Sequence, residues 1–409
     1  MKIVISTAVY YPQINGVAVF SHNLARGLAG RGHEVMVLTP SQKGYSYTDE
    51  QDGVKVCYLK SVQAKIYPDQ IHETSEDKRL WHKYGFRVSV FPGAEVRKIL
   101  DEFQPEVVHA QVSDPVGLSV VSYARKRGIP VVTTEHNQPE VLTETIGVPR
   151  VVRKGANVAL SAYFRNRQGK SDFVTMPTER AIRNLLGKRI LKVPIAAVSN
   201  GVDLKYFKPG KAKQEIYTRY GLSLEVPIVL YVGRVDPEKK VETVIKTVKE
   251  VRKKVPKTEL VIVGDGVDRL RLEKKYGMEL WVHFLGRVLP PDLYELYKVG
   301  SVFVTASEVE TQGIVLIEAA ASGLPLVAVN KGAVSEVCVN DVNGYLCKSG
   351  DVLEMAEAVS RILMDGKLRE RFSKESVKIA SEHDFEKTLD RFINIYRRVV
   401  EMKKKEQKS

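Results

Sequence analysis

The chain has 409 residues, 44% hydrophobic and 27% charged, a balance that suits two folded domains and excludes a disordered chain. No apolar run reaches the ~18 residues a membrane span needs, and three cysteines (Cys57, Cys338, Cys347) are too few and scattered for a disulfide framework or a metal cage, which points to a reducing cytoplasm. The net charge of +14 is uneven: residues 1–149 balance at 16 basic and 16 acidic, whereas 150–192 hold 11 basic and 2 acidic, so an anionic partner is indicated, be it membrane headgroups, nucleic acid or an acidic substrate.

KIVIST (2–7) lacks the charged lead-in and small-residue cleavage site of a signal peptide and reads as a buried first strand. Gly16 then precedes helical spacing at Val17, Phe20, Leu24, Ala25 and Leu28, closed by Gly30 and Gly32. A glycine there lets backbone approach a phosphate, and the helix N–H groups favour an anion; the competing reading is an ordinary Asn-Gly turn. EVMVLT (34–39), VVHA (107–110), PVVTT (130–134), FVTM (173–176) and IAAVS (195–199) follow, separated by helical stretches. Continuous β-branched runs alternating with helices mean parallel strands covered on both faces, a doubly wound α/β domain. His136 lies just beyond the fourth of these runs, where an imidazole can donate a hydrogen bond to a hydroxyl or a phosphate; a packed loop histidine is the alternative.

Residues 150–170 interleave Arg150, Arg153, Lys154, Arg165 and Arg167 with Val151, Val152, Val158, Leu160, Tyr163 and Phe164. A helix of this kind can lie on an anionic bilayer. The alternative packs its apolar side on the N-terminal sheet, and Gly155 and Asn157 weaken the helix.

At SNGVDLKYFKPGK (199–211) apolar periodicity stops, which marks a linker. A second α/β domain then runs through IVLYVGR (228–234), ELVIVGDG (259–266), VHFLGR (282–287), VFVTAS (302–307) and LVAV (326–329). In such sheets ligands bind beyond the carboxyl ends of the strands. Arg234 and Lys239, five apart around a turn that opens a helix, would form a diphosphate site, with Arg bidentate and Lys a point charge. A solvated charged loop is the competing reading, better suited to Lys240 than to Arg234. Glu310 falls in the loop after VFVTAS, and Glu318 about a turn and a half into the helix that Gly313 opens. A carboxylate accepts two hydroxyl hydrogen bonds and so suits a vicinal diol. The free N–H groups of Gln312, Gly313 and Ile314 would face the same ligand. A last helix from about Phe385 to Lys404 carries apolar Leu389, Phe392, Ile393, Tyr396, Val399 and Val400, and KKKEQKS reads as a frayed basic tail.

These pieces together resemble a family 4 retaining glycosyltransferase of the GT-B fold. The matching phrases are NGV (15–17), NGVD (200–203) with Phe207, GRVDPEKKVETVI (233–245), VGDG (263–266), LGRV (285–288), ETQGIVLIEAAASGLPLVA (310–328) and NGYL (343–346), in the family's order across nearly the whole chain. The resemblance implies two Rossmann-like domains facing across a cleft. The N-terminal, acceptor-binding one would cover 1–198 and regain a crossing-back helix at 384–404; the C-terminal, nucleotide-sugar one would cover 199–383. It implies that Arg234 and Lys239 hold the donor diphosphate, Glu310 the transferred sugar and Glu318 the ribose. Gly16 would sit near the phosphates, and Val288 would touch the base through its backbone. His136 would contact the sugar and help stabilise the departing group. No metal and no cofactor are implied, in keeping with the lack of an Asp-x-Asp cluster beside a plausible phosphate site.

Two departures stand out. Lys240 occupies a position where the family usually has glycine, and Glu-Thr-Gln-Gly (310–313) replaces Glu-Gly-Phe-Gly. The second phrase, like the NGV-x-x-F opening, is similar to that of glucosyltransferases acting on diacylglycerol. The expected reaction is therefore front-face transfer of glucose from UDP-glucose to a lipid, by a peripheral protein on the inner face of the cell membrane. A double displacement would need a carboxylate within bonding reach of the anomeric carbon, and none is evident. A soluble or phosphorylated acceptor, a sugar-nucleotide epimerase and a nucleic-acid-binding protein are the alternatives; the last rests on charge alone, with no recognition module, so nucleic acid is not an expected partner.

Overall fold

Residues 1–11, 16–63, 87–111, 114–136, 139, 142–143, 148–187 and 189–407 are described by a computed structural model. They form two units, Met1–Asn200 with Thr388–Ser409, and Gly201–Lys387. Asn15 lies outside the described residues, as does the side chain of Arg150.

The first unit is built on β1 (Lys2–Ser6), β2 (Glu34–Pro40), β3 (Tyr47–Gln51), β4 (Val54–Leu59), β7 (Val107–Ala110), β8 (Val131–Thr134), β9 (Phe173–Met176) and β10 (Ile195–Ala197). Among the described residues they make one eight-stranded sheet in the order β10-β9-β8-β7-β1-β2-β4-β3. All pairings are parallel except β3 with β4. A separate ribbon joins β5 (Val62–Gln63) to β6 (Arg87–Val88). Helices α1 (Gly16–Gly30), α2 (Gly93–Phe103), α3 (Pro115–Arg127), α4 (Arg150–Gln168) and α5 (Glu179–Leu186) provide the crossovers. Their ends follow local chemistry. Asp114 caps α3 by accepting from the Val116 and Gly117 amides, Pro115 opens it, and Gly128 closes it in a left-handed conformation.

The second unit is an all-parallel sheet of β11 (Ile228–Val232), β12 (Glu259–Val263), β13 (Val282–Gly286), β14 (Val302–Thr305), β15 (Leu326–Val329) and β16 (Gly344–Cys347), ordered β13-β12-β11-β14-β15-β16. Its helices are α6 (Gln214–Tyr220), α7 (Val241–Val251), α8 (Arg269–Tyr276), α9 (Asp292–Val299), α10 (Ile314–Ala321), α11 (Val352–Met364) and α12 (Gly366–Ser381). Both faces are covered: Val229 and Tyr231 point into one core, and Ile228, Leu230 and Val232 into the other. That double burial is why the strand reads as an unbroken apolar run.

The final helix, α13 (Phe385–Glu406), belongs to the first unit from Thr388 onward. Leu389, Phe392, Ile393, Tyr396 and Val399 are buried, and the Thr388 hydroxyl donates to the Ser199 carbonyl at 3.0 Å. Asp390 pairs with Arg31 of α1. The expected frayed tail is corrected here. The helix continues to Glu406, and Lys403 is held 3.0 Å from Asp172 and 2.9 Å from Glu406.

Candidate functional site

Strand order reverses in the second unit between β11 and β14, so the carboxyl ends of these two strands flank the crevice that doubly wound sheets use for ligands. Arg234 follows β11, and Glu310 follows β14. The first loop is laced to its neighbour. A Cβ on Gly264 would stand 1.8 Å from the Gly233 carbonyl oxygen, so the turns after β11 and β12 approach as only glycine allows. The Val235 amide donates to the Asp265 carbonyl, and the Asp268 amide to the Val235 carbonyl, each at 2.9 Å. Buried Tyr231 donates its hydroxyl to the Arg234 carbonyl at 2.6 Å.

The Arg234 guanidinium is paired with Asp236 and, at 2.6 Å, with Glu238. Burial raises the Asp236 carboxyl above its ordinary range, against the pull of Arg234. Lys239 lies in a 3-10 turn at Pro237–Lys239, and its ammonium donates to Glu310 Oε1 at 2.7 Å and to the Val309 carbonyl at 3.4 Å. Both predicted cations therefore rest on carboxylates in the ligand-free protein. Lys240, at φ 52° and ψ 39°, separates the 3-10 turn from α7.

The Glu310 backbone is wedged from behind. The Ala333 amide donates to its carbonyl at 3.0 Å, and a Cβ on Gly332, at φ 55°, would fall 2.7 Å from that carbonyl oxygen and 2.9 Å from its nitrogen. Gly313, at φ 75°, opens α10 without a side-chain cap, with Gln312 and Gly313 buried and Ile314 half-buried. Glu318 sits on α10, and its Oε2 accepts from the Tyr297 hydroxyl at 2.6 Å. Burial pushes its carboxyl up to about 7, with the tyrosine bond pulling the other way. Val288 lies two residues beyond edge strand β13 and packs on the core beneath α10. Arg234, Lys239 and Glu310 thus gather at the switch point with Glu318 on the helix behind it, and Val288 stands at the end of the edge strand.

In the first unit, β1 lies between β7 and β2, and Gly16 starts α1, exposed. His136 lies two residues past β8 and is 8% exposed. Its Nε2 is 2.7 Å from Gln111 Oε1. That nitrogen is therefore engaged within the protein, by an amide oxygen that can only accept. Burial lowers the imidazole to about 4. Gln111 in turn reaches His109, whose ring nitrogens lie 2.6 Å from the Tyr396 hydroxyl and 2.6 Å from the Thr134 hydroxyl.

Helix α4 packs Phe164 into a small core with Met176 of β9 and Ala181, Ile182 and Leu185 of α5, and leaves most of its other apolar residues uncovered. Among its described residues Phe164 and Gln168 alone are buried. Val151 is 95% exposed, and Val152, Gly155, Val158, Ala159, Ala162 and Tyr163 are exposed with it. The helical period puts these residues on one face. Among the predicted cations, Arg153 donates to the Val148 carbonyl and Arg165 to the Leu185 carbonyl, so both hold the helix in place. Lys154 is exposed at one border of the apolar face, and Arg167 stacks over Tyr163 at the other, 5.7 Å from the ring centre.

The sequence reading missed Asp236, Glu238, Tyr297, Gln111, His109 and Tyr396. Asp236 and Glu238 were legible as acids two and four residues after Arg234; Gln111 was legible as the polar residue directly after VVHA. Among the described residues no cluster of three or more His, Cys, Asp or Glu could hold a metal ion, and no helix is long and apolar enough to cross a membrane.

Comparison with known proteins gives two family matches. Residues 14–206 match the model of Glycosyltransferase Family 4, and residues 212–378 that of Glycosyl transferases group 1. An alpha-monoglucosyldiacylglycerol synthase of Streptococcus pneumoniae is 27% identical over 336 residues, 80% of this chain and 71% of the relative. A GDP-mannose-dependent alpha-mannosyltransferase of Mycobacterium tuberculosis is 29% identical over 355 residues, 86% of this chain and 85% of the relative. Sucrose-phosphate synthase from Thermosynechococcus elongatus superposes with a TM-score of 0.76 at 20% identity, over 97% of this chain and 98% of that one, and so shares the two-domain fold.

Proposed function

The chain belongs to glycosyltransferase family 4, and from that premise we propose that it transfers glucose from UDP-glucose, with retention, to a lipid hydroxyl such as that of diacylglycerol at an anionic membrane surface. In this reading the diphosphate takes Arg234 and Lys239 from their carboxylates. Lys239 then faces the leaving phosphate, and Glu310, released from it, accepts from the sugar hydroxyls. The catalytic term is electrostatic: fixed cations stabilise the negative charge that develops as the nucleoside diphosphate departs. Glu318 takes the ribose diol, the amides of Gln312, Gly313 and Ile314 face the donor, and Val288 meets the base. The family resemblance assigns Gly16 to the phosphates and His136 to a hydroxyl of the sugar. Glu310→Ala is expected to abolish transfer, and Arg234→Ala to weaken donor binding at least several-fold; full activity in Glu310→Ala would overturn the assignment.

The observation that carries the lipid acceptor is the uncovered apolar face of α4, bordered by Lys154 and Arg167 within the most basic stretch of the chain. Valines left in water forgo burial worth ~1.5–3 kcal/mol each, and an amphipathic helix recovers it at a bilayer boundary. Flotation with vesicles containing an anionic phospholipid tests this. The wild-type protein should float, and the combined Val151→Asp, Val158→Asp and Lys154→Glu variant should not. If neither floats, the acceptor is a soluble sugar or phosphorylated compound. A mannose donor is the reading that draws on the mannosyltransferase relative, whose match covers slightly more of the chain. A donor panel read by thermal shift, followed by acceptor screening, separates them.

A further inference from the structure

The buried polar chain that ends at His136 joins three strands to the last helix. His136 Nε2 meets Gln111 Oε1 at 2.7 Å. The Gln111 amide nitrogen lies 3.2 and 3.3 Å from the two ring nitrogens of His109. His109 Nδ1 meets the Tyr396 hydroxyl at 2.6 Å, and its Nε2 meets the Thr134 hydroxyl at 2.6 Å; Thr134 continues to the Thr175 hydroxyl at 2.6 Å. His109, Gln111, Thr134, Thr175 and Tyr396 are fully buried. A row of satisfied polar groups in a dry interior is costly to disturb, and so it orients its members.

The row ends asymmetrically. An amide oxygen can only accept, so the His136 nitrogen that faces it must carry the proton. His136 Nδ1 has no hydrogen-bond partner among the described residues. Phe20 packs edge-on against the ring at 5.2 Å, and Phe392 lies beside both Phe20 and His109, so the ring is fixed in direction as well as tautomer.

We propose that Gln111 is a positioning residue which, braced by His109 and Tyr396, locks His136 as the Nε2–H tautomer and leaves Nδ1 as an acceptor for a substrate hydroxyl. This rests on the reading that places His136 against a substrate, and it deepens that reading. His136 receives a hydrogen bond from a hydroxyl and is unsuited to a phosphate oxygen, to which a lone pair offers nothing. The last helix, through Tyr396, becomes part of the apparatus that sets the tautomer. His109 and Tyr396 are the titratable groups in the row with His136; Phe20 of α1 and Gln111, which directly follows β7, face it without charge. Burial lowers His136 to about 4 and His109 to about 3, so the uncharged tautomer is the relevant form at neutral pH.

The test is a long-range proton–nitrogen correlation spectrum of the full chain labelled with 15N-histidine, with His136 assigned from the His136→Ala spectrum. The expected wild-type result is the Nε2–H pattern without titration between pH 5.5 and 8. Gln111→Leu should give mixed tautomers, and Gln111→Glu should make His136 titrate upward. Tyr396→Phe preserves the packing and should loosen the tautomer partially. If Gln111→Leu fails to fold, Tyr396→Phe and Gln111→Glu still report. In turnover, Gln111→Leu should lower kcat about ten-fold or more while the donor KM stays within about two-fold. A wild-type Nδ1–H pattern, as a reversed amide would give, overturns the proposal, as does a tautomer indifferent to Gln111. The spectrum needs no substrate, so an error in the donor or acceptor leaves this result legible.

Discussion

Glu318 shows how a single side chain sets function against stability. Its carboxyl is ordinarily near 4.5 and stands at about 7 in the fold, because burial penalises the charged form more than the Tyr297 hydroxyl relieves it. The folded protein therefore holds this proton more tightly than the unfolded chain does. The stability gained is full below about pH 4.5 and is lost as the pH rises through 7. Glu318→Gln keeps an oxygen for Tyr297 and removes the ionisation. The variant should be more stable than wild type at pH 8, by about 3 kcal/mol, and should lose that advantage near pH 4.5. Thermal melts across this range measure it, and a difference that does not vary with pH would refute the assignment. Donor affinity should fall in the same variant, because an amide accepts poorly from two hydroxyls at once.

At the scale of elements, the junction between the 3-10 turn and α7 carries a conformational cost. Lys240 sits in the left-handed region, which an L-residue enters at ~1–2 kcal/mol, and its exposed side chain has no partner among the described residues. Lys240→Gly should stabilise the protein by about 0.5–1 kcal/mol after the extra freedom of the unfolded glycine is subtracted, a rise of ~1–3 °C in Tm. A fall in Tm would mean that the ammonium makes a stabilising contact. The sequence flagged this residue as a departure from glycine, and the dihedral angles explain why glycine suits the place. Elsewhere legibility followed burial. Strands buried on both faces, such as β11 and β14, stood out as apolar runs, whereas edge strand β3, YTDEQ, has no apolar pattern because it buries little. Arg234, Lys239, Glu310 and Glu318 could be placed behind strands from spacing alone. Their carboxylate and tyrosine partners depend on loops meeting in three dimensions, and the outward orientation of α4 depends on which face its neighbours leave uncovered.

For the whole molecule, the shifted groups of the two units bias stability in acid in opposite directions. In the first unit His109 and His136 are held uncharged, at about 3 and about 4, against an ordinary 6.5. The unfolded chain takes up these protons first, so the stability they contribute is present above 6.5 and is lost as the pH falls toward 4 and 3. Asp114, raised by burial to about 6 from 3.8, offsets part of that loss over the same interval. In the second unit Glu318 gains stability as the pH falls from 7 toward 4.5. Between pH 7.5 and 5.0 the two histidines cost the first unit about 2 kcal/mol each, Asp114 returns about 1, and Glu318 adds about 2–3 to the second unit. The first unit should therefore become the more labile in mild acid. Limited proteolysis at pH 7.5 and 5.0, with cleavage sites mapped by mass spectrometry, tests the balance: new cuts at pH 5.0 should fall within 1–200 and 388–409 and spare 201–387. Replacing His109 with asparagine, which does not titrate, should reduce the acid-induced cutting. Cuts appearing first in 201–387 would show that charges other than these four govern the acid response. Because α13 docks on the first unit through Phe392 and Tyr396, both in contact with His109, loosening that unit should also release the helix that returns from the second, and protection of Tyr396 and its neighbours should be lost together with that of β7.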